Sequence, residues 1–123
     1  MSDARTILIV EDDETDRLIV RLFLEQAGYR VLEVDSAEAG LALCARTRPD
    51  LLLVDGLLPK MDGFQMTRAL RAIPEYRDTP ILILSGLEEP EWPARAIEAG
   101  ATGFILKSNN WDELVAHIGQ YLP

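Results

Sequence analysis

The chain has 123 residues, enough for one domain and too few for two, and a chain of this size buries roughly two thirds of its unfolded surface without help from disulfides or a structural metal. Its 21 Asp and Glu against 12 Lys and Arg leave a formal net charge of −9, which argues against direct binding to nucleic acid, where a cationic footprint is needed. Cys44 is the only cysteine, so no internal disulfide can form and no Cys/His cluster suggests zinc. The start, MSDARTILIVEDD, has an apolar run of only four residues before three acids, which is neither a signal peptide nor a membrane span, and a cytoplasmic protein is expected.

Taken in order, ILIV (7–10) is a fully apolar strand ending in Glu11, Asp12 and Asp13. The segment ETDRLIVRLFLEQAGY places Leu18, Leu22 and Ala27 with Ile19 and Phe23 at helical spacing, and Gly28 supplies the stop. RVLEVDS (30–36) alternates like an edge strand, and Ser36 caps the helix AEAGLALCARTR, where Cys44 reads as a small half-buried residue. LLLV (51–54) runs straight into Asp55, and Gly56, Pro59 and Gly63 forbid the strand from continuing. FQMTRALRAI forms a third amphipathic helix with Phe64, Met66, Leu70 and Ile73 among its apolar positions, ended by Pro74. ILIL (81–84) closes on Ser85 and Gly86. Two prolines near the start of LEEPEWPARAIEAG delay the fourth helix to about Pro93, and it finishes at Gly100. GFIL (103–106) closes on Lys107 before NNWDELVAHIGQYL supplies a last helix. Strand and helix thus alternate five times, which implies a parallel sheet flanked by helices in a single domain, residues 1–123.

In a parallel sheet the carboxyl ends of all strands lie on one edge, where open α/β sheets bind ligands. Glu11, Asp12, Asp55, Ser85 and Lys107 therefore converge on one crevice. Three neighbouring carboxylates repel one another unless a cation compensates, and hard oxygen donors on short loops suit Mg²⁺. A hydroxyl and an ammonium beside such a site make a cradle for phosphate, and a carboxylate can itself be the nucleophile that forms an aspartyl phosphate. Singly, each residue has a duller reading: Asp13 and Asp16 as helix caps, Lys107 as a surface lysine, Ser85 as a turn residue. Acid, acid, hydroxyl and ammonium at four separate strand ends are what chance does not supply.

VEDD, VDGLLPKMDG, LSG and GATGFILK, with Ser85 and Lys107 thirty and fifty-two residues beyond Asp55, resemble the receiver domains of two-component response regulators, of the CheY-like single-domain kind. The resemblance covers essentially the whole chain. It implies a flavodoxin-like (βα)5 doubly wound fold with a five-stranded parallel sheet of order 2-1-3-4-5 and helices on both faces, an architecture for which a receiver is itself a standard illustration. It also implies that Glu11, Asp12, Asp55 and the backbone carbonyl of Leu57 hold Mg²⁺, and that Asp55 accepts a phosphoryl group from a histidine kinase or histidine phosphotransfer protein. Ser85 and Lys107 would then bind the phosphate, Gly86 would leave it room, and Phe104 would be the switch aromatic that turns inward. The surface of the last two helices and the fifth strand would dock a downstream protein target, as a monomer or a phosphorylation-dependent dimer. No enzymatic activity is implied beyond Mg²⁺-dependent self-phosphorylation and slow autodephosphorylation.

This sequence departs from the family directly after the lysine. Ser108 stands where a proline usually follows the lysine through a cis bond, and a cis bond before any other residue costs about 2.5–4 kcal/mol, so a trans bond and a mobile SNNW loop are expected. Leu57 and Leu87 flank the water's approach to the phosphate with apolar cover, which is expected to slow dephosphorylation. Trp92, Trp111 and Tyr121 fit either a docking face or the core, and His117 fits a surface residue better than a phosphodonor. The alternative function is a pseudo-receiver that docks partners without phosphorylation; retention of all five site positions argues against it. A phosphatase with an aspartyl nucleophile would want an acid where Leu57 stands, and a dinucleotide enzyme lacks its glycine-rich turn where EDDE sits.

Overall fold

A computed structural model describes residues 4–86, 89–107 and 110–122. The strands are β1 (Thr6–Val10), β2 (Arg30–Val34), β3 (Leu51–Asp55), β4 (Ile81–Ser85) and β5 (Gly103–Leu106). They pair in parallel in the order β2-β1-β3-β4-β5, the doubly wound flavodoxin-like arrangement. Helices α1 (Glu14–Gln26), α2 (Ala37–Cys44), α3 (Gly63–Arg71), α4 (Trp92–Ala99) and α5 (Trp111–Gly119) connect and follow the strands, with a 3-10 turn at Pro74–Tyr76.

Alternation along the central strands splits the core into two layers. Leu8, Val10, Leu52, Val54, Ile81 and Ile83 face α2, α3 and α4, whereas Ile7, Ile9, Leu51, Leu53, Leu82 and Leu84 face α1 and α5. Both faces are dry, which is why β1, β3 and β4 are continuous apolar runs rather than alternating ones. Edge strand β2 is only half buried and keeps its charged Glu33.

Helix ends follow local chemistry. Asp13 caps α1 by accepting from Asp16 N–H at 2.8 Å, Ser36 caps α2 through Ala39 N–H at 3.1 Å, and Asp62 forms a reciprocal capping box with Gln65 on α3. The third helix stops at Arg71 rather than Ile73, because the residue before a proline is driven out of the helical region. The fourth starts at Trp92 with Pro93 in its first turn and ends on Gly100 at φ +100°.

Helix α1 presents a face other than the one its spacing suggested. Val20 and Leu24 are its buried residues, while Leu18 and Leu22 are 45% and 52% exposed. Apolar residues occupy two stripes of this helix, and charge pairing selects between them: Arg17 and Arg21 both reach Glu33 on β2, which rotates Leu18 and Leu22 to the outside. Of the three aromatics that suited either role, Trp92 is a core residue, packed edge-on against Phe64 with ring centroids 5.7 Å apart, and Trp111 and Tyr121 are half-buried against the α1/α5 layer.

Candidate functional site

Strand register brings the polar residues to one rim. Asp55 is the last residue of β3 and pairs with Leu84, while Ser85 ends β4 opposite Leu106, so the carboxylate and the hydroxyl end adjacent strands one step apart. Gly56 N–H then donates to the Leu84 carbonyl at 2.8 Å and Lys107 N–H to the Ser85 carbonyl at 2.7 Å, which carries both loop starts past the edge of the sheet. The following loop returns so tightly that a Cβ on Gly63 would lie closer than 3.0 Å to the Asp55 carbonyl oxygen. Glycine is required there by close approach rather than by an unusual φ.

Asp55 is 5% and Glu11 2% exposed, and Ser85 is fully buried. Lys107 reaches across the rim: its Nζ forms an ion pair with Glu11 Oε1, and lies 3.0 Å from Asp55 Oδ2 and 3.2 Å from Asp16 Oδ2. Glu11 Oε2 accepts from Asp13 N–H at 3.1 Å, and Asp55 Oδ1 from Leu57 N–H at 2.9 Å. One oxygen from each of Glu11, Asp12 and Asp55 falls within 4.8 Å of the others.

Electrostatics follow from crowding at a half-dry rim. Burial, followed by the neighbouring Asp55 carboxylate, pushes Glu11 up to about 8, against the pull of Lys107 and the Asp13 N–H. Burial works against the Lys107 ammonium, but the Glu11 and Asp55 carboxylates outweigh it and hold Lys107 above its ordinary value.

The structure thus brings Glu11, Asp12, Asp55 and Lys107 into one cluster. Ser85 adjoins it from the neighbouring strand end, and Gly86 leaves open space, since a Cβ there would meet nothing nearer than Lys107 Cδ at 4.0 Å. Phe104 is half-buried against the α2–α4 layer, on the sheet face of Ile83 rather than that of Asp55. Leu57 is half exposed above Asp55. Leu87 and the Lys107–Ser108 bond lie outside the described residues. Sequence reasoning misses Asp16 as a Lys107 partner, because a carboxylate in the first turn of a helix reads as a cap and carries no signal of a lysine about ninety residues away.

A family model for the response regulator receiver domain matches residues 7–119. The chain belongs to the response regulator receiver family. The receiver is 36% identical over 115 residues to the phosphate regulon transcriptional regulatory protein PhoB of Escherichia coli, covering 94% of this chain and 50% of that protein. The signal receiver domain of a signal transduction histidine kinase from Syntrophus aciditrophicus superposes with a TM-score of 0.90 at 35% identity, over 97% of this chain and 90% of that one. The receiver domain of a sensor histidine kinase from Pseudomonas aeruginosa, which holds a magnesium ion in its active site cleft, superposes with a TM-score of 0.89 at 28% identity, over 97% and 98%. This receiver spans about half the length of the curated relatives it matches.

The donor set of this receiver suits the same class of ion. All three acids offer hard oxygens within 4.8 Å of one another, the donor type and clustering that a small divalent cation such as Mg²⁺ takes. Lys107 bridges Glu11 and Asp55 at the edge of this trio. No described helix is long and apolar enough to cross a membrane.

Proposed function

We propose that this receiver is a phosphoryl-accepting switch of a two-component or phosphorelay pathway, with Asp55 as the acceptor and no other enzymatic activity. The observation that carries the proposal is the pairing of a nearly buried Asp55 with Lys107 Nζ at 3.0 Å, inside a trio of acids within 4.8 Å of one another. A carboxylate oxygen of Asp55 attacks phosphorus, the bond from phosphorus to the donor nitrogen of a histidine breaks, and its electron pair returns to the imidazole. Mg²⁺ held by Glu11, Asp12, Asp55 and the Leu57 carbonyl would neutralise the charge of the transferring group.

Lys107 then exchanges carboxylate partners for phosphate oxygens. Ser85 donates to the same group from the adjacent strand end, and Phe104 follows on the far face of the sheet. Moving such a two-state element from 1:99 to 99:1 takes about 5.5 kcal/mol, within reach of several charge-assisted hydrogen bonds. The partners are a histidine kinase or histidine phosphotransfer protein upstream and a protein target docking on α4, β5 and α5 downstream. A net charge of −9 disfavours nucleic acid as a direct partner of this domain.

The test is intact mass after incubation with acetyl phosphate, with and without Mg²⁺, for the wild type and Asp55→Asn. A phosphoryl adduct that requires both Mg²⁺ and Asp55 is expected. Absence of an adduct, together with absence of Mg²⁺ binding, would favour a phosphorylation-independent docking module instead.

A further inference from the structure

Glu11 is gripped by its main chain as well as by its carboxylate. Its N–H donates to the Val34 carbonyl of β2 at 3.1 Å, and its own carbonyl accepts from Arg17 Nη1 at 2.8 Å. Arg17 is braced in turn: its Nε donates to Glu33 Oε1 at 3.0 Å, and Arg21 Nη1 holds the other oxygen of Glu33 at 2.6 Å. The Arg17 side chain is 19% exposed, so this fork is neither a loose surface pair nor a buried one. A peptide unit is planar, so the direction of the Glu11 carbonyl also sets the direction of the Asp12 N–H and the placement of the Asp12 Cα from which its side chain leaves. Arg17 therefore acts on the turn that presents two of the three clustered acids while touching none of their carboxylates.

We propose that Arg17, braced by Glu33, is a positioning residue that fixes the Glu11–Asp12 peptide and thereby sets the affinity of the acid trio for Mg²⁺. This rests on the reading that the trio holds Mg²⁺. Lysine substitutes only in part, because a single ammonium lacks the planar fork that donates to a carboxylate with one edge and to a carbonyl with another. The sign of the effect separates positioning from simple electrostatics. Removing a cation beside an acidic cluster strengthens the binding of another cation by Coulomb's law, whereas loosening the turn weakens it.

The experiment is Mg²⁺ titration by calorimetry on the wild type and on Arg17→Met, Arg17→Lys, Glu33→Gln and Arg21→Met, each checked for cooperative unfolding. Methionine keeps much of the apolar stem of arginine. Partners that orient metal ligands are worth roughly 10–100-fold in affinity. Arg17→Met is expected to weaken Mg²⁺ binding by about tenfold, and Arg17→Lys and Glu33→Gln by less. Arg21→Met, which releases the other side of Glu33 without touching Glu11, should stay within about twofold of wild type. Unchanged or tighter binding by Arg17→Met would overturn the inference, as would equal weakening by Arg21→Met. A wild type that binds no Mg²⁺ removes the metal reading itself and the inference with it, an outcome distinct from the other two.

Discussion

Gly63 tests the packing that holds Asp55 in place, and two physical effects oppose each other there. Gly63 opens α3, and replacing a helical glycine by alanine gains up to about 1 kcal/mol in propensity. Against this, the new Cβ would lie closer than 3.0 Å to the Asp55 carbonyl oxygen and 3.0 Å from both the Asp55 carbonyl carbon and Val54 Cγ1. The two obstructing Asp55 atoms are main chain, pinned by the β3–β4 ladder and by the Gly56 N–H to Leu84 carbonyl bond of 2.8 Å. They cannot rotate away, so the cost belongs at the upper end of the 1–3 kcal/mol typical of overpacking. Gly63→Ala is therefore expected to lose about 2 kcal/mol net, close to 8 °C in Tm for a domain of this size. Gly119→Ala in the last turn of α5 meets nothing within 4 Å and should be neutral or gain a few tenths of a kcal/mol. Urea midpoints of the two variants settle the sign. A Gly63→Ala protein as stable as wild type would refute the close approach of the α3 start to Asp55.

Further expectations concern the rim and the opposite edge. Glu11 is raised to about 8 by burial, so the folded protein favours its protonated form; that stabilisation is complete below about pH 4.5 and is lost as pH rises through 8. In EDTA, the wild type should therefore lose stability relative to Glu11→Gln as pH rises across this window, and Mg²⁺ affinity should rise over the same range; parallel pH profiles for the two proteins would contradict the assignment. Tyr76→Phe removes a hydroxyl that donates to the Cys44 and Thr47 carbonyls at 2.7 and 2.9 Å, and should cost about 1–3 kcal/mol in urea melts while leaving phosphorylation by acetyl phosphate unchanged. Leu57→Asn places an amide beside Asp55 and is expected to shorten the half-life of the phosphoryl group, measured by loss of the mass adduct over time; an unchanged half-life would refute apolar cover by Leu57 as a brake on hydrolysis.

The fold was legible because its signals are local and repeated. Four apolar runs bounded by glycine, proline or acids, each separated by helical spacing, leave few topologies other than a parallel sheet, and a parallel sheet puts Glu11, Asp55, Ser85 and Lys107 on one edge. The rotation of α1 was less legible, because Leu18 and Leu22 form as good an apolar stripe as Val20 and Leu24. The choice was made by Arg17 and Arg21 reaching Glu33, a pairing between helix and edge strand for which charged residues carry no period. The same kind of non-local pairing hid Asp16 beside Lys107. The capping box of Asp62 and Gln65 carries its signal in spacing alone, three residues apart at the start of α3.

The most direct test of the central claim is to trap the acceptor chemically. After reaction with acetyl phosphate and Mg²⁺, borohydride reduces an aspartyl phosphate to homoserine, and peptide mapping then reports which residue carried the group. Homoserine at position 55, absent without Mg²⁺, is the result the account requires. Label at Glu11 or Asp12, a phosphorylated His117, or no modification at position 55 despite a phosphoryl adduct on the intact protein would contradict it.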